Sequence, residues 1–233
     1  MVAMPGSRGR DSRAQAALRL EEFAAVQHGY VTRAQAAEAE VGDMMLRRLQ
    51  AGGWLDRAEH GVYRMRGAHD LLWAPVWVAW LSLDPSRSAV ERGRHPTEIV
   101  RGPTAASAIY GIGDLAPEPY RFWTSRRRFL RRADVELRVG RLPDSDIRLV
   151  QDLPATTPIR TVADLIVDYY DGGHVADCLR DAIREGLIDR RDLPGLLADA
   201  LRRTLPRSRR TLPRSELGRA DLLARQFTEA ATQ

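Results

Sequence analysis

Three observations predict an α+β fold in two parts. Residues 30–65 run through a capped helix, a glycine turn, a basic helix and a glycine-tipped hairpin without a gap. Residues 71–83 are apolar and tryptophan-rich, and short strand-like runs follow them. Residues 157–205 then carry three helical patterns in succession. The first part has the element order of a winged helix-turn-helix, and the second reads as a mixed α/β domain. The expected boundaries are 1–68 for the winged domain, 69–203 for the α/β domain, and 204–233 for a basic C-terminal extension with a terminal helix.

Residues 1–12 are small and polar, with Arg8 and Arg10, and are expected to be unstructured. From residue 13 to 28, Ala17, Leu20, Phe23 and Ala24 recur at helical spacing until Gly29 ends the run. Thr32 caps the next helix, and Gln35, three residues on, can reach back to the Thr32 backbone in a capping box. Gly42 permits a sharp turn, and Asp43 reads as the N-cap of a helix over 44–51 that Gly52 and Gly53 stop. Leu46 and Leu49, with Met45, share its buried face, while Met44, Arg47, Arg48 and Ala51 look outward. Residues 54–58 and 62–64 read as two strands around the turn Glu59-His60-Gly61. Paired guanidiniums on a helix beside a β-wing suit DNA, because the helix fits the major groove and arginine bonds guanine edges or phosphates. An ordinary helical domain with a solvated basic face would show the same spacing.

After a polar break at 67–70, Trp73, Trp77 and Trp80 lie in an apolar helical stretch that reads as core, anchoring the second domain. Residues 87–93 read as a charged connection and 95–100 as containing a short strand. Pro103 and Thr104 open a helix through Tyr110 that ends at Gly111 or Gly113. Strands are expected at 120–124, 135–139 and 147–150. Between the first two lies Arg126, Arg127, Arg128, Phe129, Leu130, Arg131 and Arg132, which reads either as solvated surface or as a phosphate or RNA contact. Thr157 caps a helix with Pro158 at its first position and Val162, Leu165, Ile166 and Tyr169 on its buried face, ended by Gly172 and Gly173. Arg160 and Asp164, four apart on that helix, would make a pair worth ~0.2 to 0.5 kcal/mol. Helices over 175–185 and 191–205 follow. The tail repeats Thr-Leu-Pro-Arg-Ser at 204–208 and 211–215, then closes in an amphipathic helix through Leu217, Leu222, Leu223 and Phe227 that docks on the body or meets a partner.

The net charge of +5 and a pI near 9.9 favour a polyanion or an acidic partner. All 36 basic residues are arginine, which excludes a Walker-type or Schiff-base lysine and equally suits a GC-rich genome. Cys178 is the only cysteine, so no intrachain disulfide forms and core packing in a reducing compartment is expected. The first 13 residues lack the apolar core of a secretion signal, and 71–83 is too short and Pro75-interrupted to span a bilayer. A cytoplasmic protein with no membrane partner is expected. The five histidines, His28, His60, His69, His95 and His174, show no ligand spacing. Gly111-Ile-Gly113 lacks the third glycine of a dinucleotide loop. Asp134 and Glu136 on one strand face could hold magnesium, but Arg138, two residues further on, cannot give up a proton to activate water. No cofactor, metal or catalytic residue is therefore expected, and the chain does not read as an enzyme.

Val31-Thr-Arg-Ala-Gln-Ala, Leu46-Arg-Arg-Leu-Gln-Ala-Gly-Gly-Trp-Leu and His60-Gly-Val-Tyr resemble the N-terminal winged helix-turn-helix of AbiEi-type antitoxins of type IV toxin-antitoxin systems. Gly102-Pro-Thr-Ala-Ala-Ser-Ala-Ile-Tyr-Gly and Thr156-Thr-Pro-Ile-Arg-Thr-Val-Ala-Asp-Leu resemble further signatures of that family, and together the matches cover residues 14–200. The resemblance implies a DNA-binding autorepressor encoded beside a nucleotidyltransferase toxin, with the winged domain on operator DNA and the C-terminal domain carrying antitoxicity. Arg33, Arg47 and Arg48 fall where the family's DNA-facing residues lie. With Met44, Arg57, His60 and Arg64 they make the expected DNA-contacting set, on a monomer or weak dimer. Arg126, Arg127, Arg128, Arg131 and Arg132 make the expected antitoxicity or partner surface. The helix over 44–51 opens Gly-Asp-Met-Met where many members have Ser or Thr, and the arginine-rich tail has no counterpart. A winged-helix regulator with no toxin partner, or a nucleic-acid-processing enzyme, would share these features.

Overall fold

The fold is α+β. The computed structural model describes residues 7–130, 132–204 and 214–232, and the chain divides into two units, Met1–Pro96 and Thr97–Gln233.

In the first unit, α1 (Ser7–Ala24) begins inside the stretch expected to be unstructured, of which residues 1–6 lie outside the described residues. Ala17, Leu20 and Ala24 are buried, as their spacing predicts. β1 (Tyr30–Thr32) follows and is too short to show an alternating pattern in the sequence. Next come α2 (Arg33–Glu38), α3 (Asp43–Ala51), β2 (Leu55–Glu59) and β3 (Val62–Met65). The strands form an antiparallel sheet in the order β1-β3-β2. Gly29, at φ +85°, enters β1 where a Cβ would lie 2.2 Å from the Ala68 Cβ, so both backbone and space require glycine.

The capping box is present. Gln35 N donates to Thr32 Oγ1 at 3.1 Å, and Thr32 N donates to Gln35 Oε1 at 2.9 Å. Gln35 also forms a reciprocal amide pair with Gln27, at 2.8 and 3.0 Å, and both side chains are fully buried. That pair draws in later chain: Gln27 Oε1 accepts from Ala89 N at 2.9 Å, and Gln27 O accepts from Trp77 Nε1 at 3.2 Å. Consequently α4 (Ala74–Leu83) and α5 (Ala89–Arg94) belong to this unit, and the boundary expected at residue 68 falls inside it. The tryptophan helix anchors the first unit, not the second. Its residues 76–81 are all buried, so no single apolar face in the sequence indicates which neighbours cover it. α5 replaces the expected charged connection, and it starts at a second capping box, Ser88 with Glu91. Hydrogen bonds from Ser88 hold the Glu91 carboxyl below its ordinary range.

The second unit is built on a five-stranded mixed sheet, β6-β5-β4-β8-β7. These strands are β4 (Glu98–Val100), β5 (Tyr120–Thr124), β6 (Val135–Val139), β7 (Ile147–Val150) and β8 (Leu153–Thr156). β5, β6 and β7 lie where the sequence predicts them. β8 is not foreseen, because Pro154 removes a ladder donor and argues against a strand. It pairs with β7 through a tight turn in which Gln151 and Asp152 both have positive φ, the backbone a two-residue hairpin favours. α6 (Gly102–Thr104) runs into a π-helical turn over Ala105–Tyr110 that ends at left-handed Gly111.

α7 (Pro158–Val167), α8 (Gly172–Arg184), α9 (Leu193–Thr204) and α10 (Arg214–Thr232) complete the unit. Gly172 opens α8, capped by Asp171, and does not end α7. α7 ends instead at Tyr169, at φ +60°, with Tyr169 N donating to Ile166 O and Tyr170 N to Leu165 O. This is the Schellman arrangement, with tyrosine where glycine is usual. Tyr169, expected on the buried face, is 85 % exposed. α10 docks through Ala220, Ala224 and Ala231, which are buried with Leu179, Leu197 and Leu201, while Leu222 points outward. The expected extension thus contributes a helix to the second unit; residues 205–213, with most of the repeated pentapeptide, lie outside the described residues. Cys178 packs in the same cluster, and burial pushes its thiol up to about 12.

Candidate nucleic-acid interface

α3 is oriented by its own periodicity. Leu46 and Leu49 are 1 % and 0 % exposed against α1 residues such as Leu20, which turns Met44, Arg47 and Arg48 to solvent. Arg48 Nη2 lies 3.4 Å from Met44 Sδ, one turn back. Arg47 is exposed with no ion pair among the described residues.

The start of this helix differs from the sequence expectation. Gly42 is the N-cap and makes no side-chain cap, while Asp43 is the first helical residue. The Asp43 carboxylate engages Arg33 in a two-pronged pair: Nε donates to Oδ1 at 2.7 Å, and Nη2 donates to Oδ2. Hydrogen bonding to Asp43 raises the Arg33 guanidinium above its ordinary value. The Arg33 backbone is anchored as well, its N–H donating to Gly61 O at 2.8 Å. One contact chain therefore joins the first turn of α2, the first turn of α3 and the tip of the β2–β3 hairpin. No spacing rule on a single element reveals the Arg33–Asp43 pair, which spans ten residues and a turn.

At the hairpin, Arg57 Nη2 lies 2.9 Å from His60 Nδ1, and both residues are exposed. Gly61, at φ +75°, makes the tight turn. Arg64 is placed differently from the rest of the expected set. It is partly buried on β3, donates to Ala68 O, and pairs with Asp70 at 2.7 Å. Met44, Arg47, Arg48, Arg57, His60 and the Arg33–Asp43 pair thus lie on exposed parts of α2, α3 and the hairpin, and Arg64 is held apart from them.

The second expected surface is also divided by the structure. Arg128 pairs at 2.8 Å with Glu98, whose side chain is 0 % exposed, and Arg132 forms a two-pronged pair with Asp134. Arg132 holds the Asp134 carboxyl below its ordinary range. Arg126 and Arg127 are exposed, and Arg131 lies outside the described residues. Glu136, the other carboxylate considered for a metal, accepts from Arg121 Nε at 2.9 Å. Among the described residues, no group of three or more His, Cys, Asp or Glu is placed to hold a metal, and no helix is long and apolar enough to cross a membrane.

Residues 18–66, from α1 through the hairpin, match the model of the family described as transcriptional regulator, AbiEi antitoxin. The resemblance read from the sequence is thereby borne out over the stretch that carries α3 and the hairpin. No curated protein matches the chain significantly. Among solved structures, the RV2827C protein from Mycobacterium tuberculosis is similar with a TM-score of 0.52 at 15 % identity, over 94 % of this chain and 77 % of that one. At that identity the likeness is one of fold.

Proposed function

We propose that this chain binds double-stranded operator DNA through α3 and the β2–β3 hairpin, a winged helix-turn-helix, and serves as autorepressor and antitoxin of a type IV toxin-antitoxin operon. One observation carries the reading: Arg47 and Arg48 stand exposed on the face of α3 opposite Leu46 and Leu49, inside the stretch that matches the regulator family. α3 enters the major groove, where a guanidinium can bond both acceptors of guanine. Met44 contributes an apolar contact on the same face, and Arg57 with His60 meets the backbone at the wing. The protein works in the cytoplasm as a monomer or weak dimer on DNA and performs no catalysis. Its second unit counteracts a nucleotidyltransferase toxin.

The Arg33–Asp43 pair gives this reading a distinctive prediction. Asp43 places a carboxylate at the groove-facing end of α3 and occupies a guanidinium suited to phosphate. Asp43→Ala is expected to strengthen DNA binding and to steepen its salt dependence by about 0.9 in the log-log slope as Arg33 gains one phosphate. Anisotropy titrations on one duplex at several salt concentrations measure both; an unchanged slope with weaker binding would assign Arg33–Asp43 to the fold alone.

Repression and antitoxicity are expected to separate. Arg126→Glu/Arg127→Glu reverses two exposed charges of the second unit without breaking the Glu98–Arg128 or Arg132–Asp134 pairs. That variant should lose rescue in a toxin co-expression growth assay and retain repression of a promoter reporter. Retained rescue by the folded variant would move antitoxicity elsewhere, and absence of a neighbouring nucleotidyltransferase gene would leave a winged-helix regulator.

A further inference from the structure

A cleft of about 730 Å³ in the second unit, remote in chemistry from α3, brings together arginines that the DNA reading does not use. Its wall includes Arg101, Arg121, Arg138, Asp168 and Tyr169. Strand alternation explains part of the convergence. Arg121 and Trp123 on β5, and Glu136 and Arg138 on β6, are register partners on one face of the sheet. The C-terminal end of α7 supplies Asp168 and Tyr169.

The arginines of the cleft end a chain of alternating charges. Arg203 pairs with Asp146, Asp146 with Arg160, Arg160 with Asp164, Asp164 with Arg101, Arg101 with Asp168, and Asp168 with Arg138. Four cations thus alternate with three anions, an excess of one positive charge. Arg101, Asp164 and Asp146 within the chain are nearly inaccessible, at 1 % exposure or less, whereas Asp168 is partly exposed at the cleft. Arg203 and Arg138 form the two ends, each with its side chain 38 % exposed, and Arg138 opens into the cleft. Arg138 meets one oxygen of a carboxylate already shared with Arg101, so its remaining N–H donors are available to an anion. Beside it Arg121 donates to Glu136 and to Tyr170 Oη. The other acid of the wall, Asp171, is engaged as the cap of α8, accepting from Gly173 N at 2.8 Å.

Tyr169 supplies the second element. It adopts a left-handed backbone where glycine is favoured, and the residue is 85 % exposed at this cleft. A side chain that neither packs nor suits its backbone is a candidate for contact with a ligand. An exposed aromatic ring beside arginine donors matches a base and its phosphate, since every base stacks on an aromatic face. The three arginines of the wall are matched by Glu136, Asp168 and Asp171, so it has no excess charge to hold a polyanion, whereas the N–H donors that Arg138 and Arg121 do not use on these acids and Tyr170 can meet a single phosphate group. We propose that this cleft binds a nucleoside monophosphate, with the base stacked on Tyr169 and the phosphate on Arg138 and Arg121. The inference is independent of the DNA reading.

Calorimetric titration of the full chain with AMP, GMP, CMP and UMP tests it, with inorganic phosphate, adenosine and a 5′-phosphorylated single-stranded tetranucleotide as comparison ligands. At least one monophosphate should bind saturably, ten-fold or more tighter than phosphate or nucleoside alone. Arg138→Gln and Tyr169→Gly should each weaken it ten-fold or more. Tyr169→Gly should melt at or above the wild-type temperature, because glycine suits the backbone, so its lost binding cannot be ascribed to unfolding. The proposal is overturned if no monophosphate binds, if phosphate alone binds as tightly, if only the tetranucleotide binds, or if both variants bind as wild type does.

Discussion

Asp164→Ala is expected to destabilise the second unit by about 3 to 5 kcal/mol, the range for removing one partner of a buried ion pair. The Asp164 carboxylate is wholly buried and accepts three hydrogen bonds: from Arg101 Nε at 3.3 Å, Arg160 Nε at 3.0 Å and Trp123 Nε1 at 3.0 Å. Its loss strands an indole N–H and leaves two guanidiniums, 1 % and 3 % exposed, with one anionic partner each, Asp168 and Asp146. Arg101, Arg138 and Arg160 also stand 5.0, 5.0 and 5.4 Å from the Trp123 ring, so removing the central anion leaves three cations around one indole. For a unit of this size the melting temperature should fall by roughly 10 to 17 °C. The contrasting variant is Asp177→Ala, whose partner Arg180 lies on the same helix with both side chains about half exposed. That change should cost about 0.5 kcal/mol or less. Thermal melts of the two variants measure the difference, and equal effects would contradict the buried charge chain as a structural element.

The same residues show why the sequence is only partly legible. Arg160 and Asp164, read along one helix, look like a weak surface pair. Nothing local discloses Arg101, 63 residues before Asp164, or Asp146, 14 residues before Arg160, and those partners turn a marginal i,i+4 contact into the middle of a buried network. Short-range chemistry reads well: the Thr32–Gln35 capping box, the glycine-tipped hairpin and the strands β5, β6 and β7 all follow from residues within a few positions of one another. The Ser88–Glu91 capping box carried an equally local signal that the surrounding charges obscured. Elements set by distant partners do not read. β1 is three residues long and exists because β3 pairs with it. β8 contains Pro154 and is held between β4 and β7. α4 is apolar all round, and the Gln27 carbonyl, fifty residues back, receives its Trp77 indole. In the candidate interface, the outward face of α3 was legible from Leu46 and Leu49, whereas the Arg33–Asp43 pair and the diversion of Arg64 to Asp70 depend on turns that bring separate elements together.

Replacing Arg47 and Arg48 together by alanine should abolish specific recognition of the operator. Each bidentate guanine contact is worth about 1 to 3 kcal/mol of discrimination, so the double variant should lose at least roughly 30-fold in operator affinity. The fold should be untouched, because both side chains are exposed and α3 is held by Leu46 and Leu49 on its other face. The phosphate contacts proposed for the hairpin should survive in the variant, so weak binding to any duplex should persist and remain sensitive to salt.

Fluorescence anisotropy on the protein's own promoter and on an unrelated duplex of equal length, at one fixed salt concentration, tests the central claim most directly. The wild-type chain should prefer its promoter strongly, and Arg47→Ala/Arg48→Ala, with an unchanged melting temperature, should bind both duplexes with nearly the same weak affinity. Promoter binding by the folded double variant as tight as that of the wild type would contradict it.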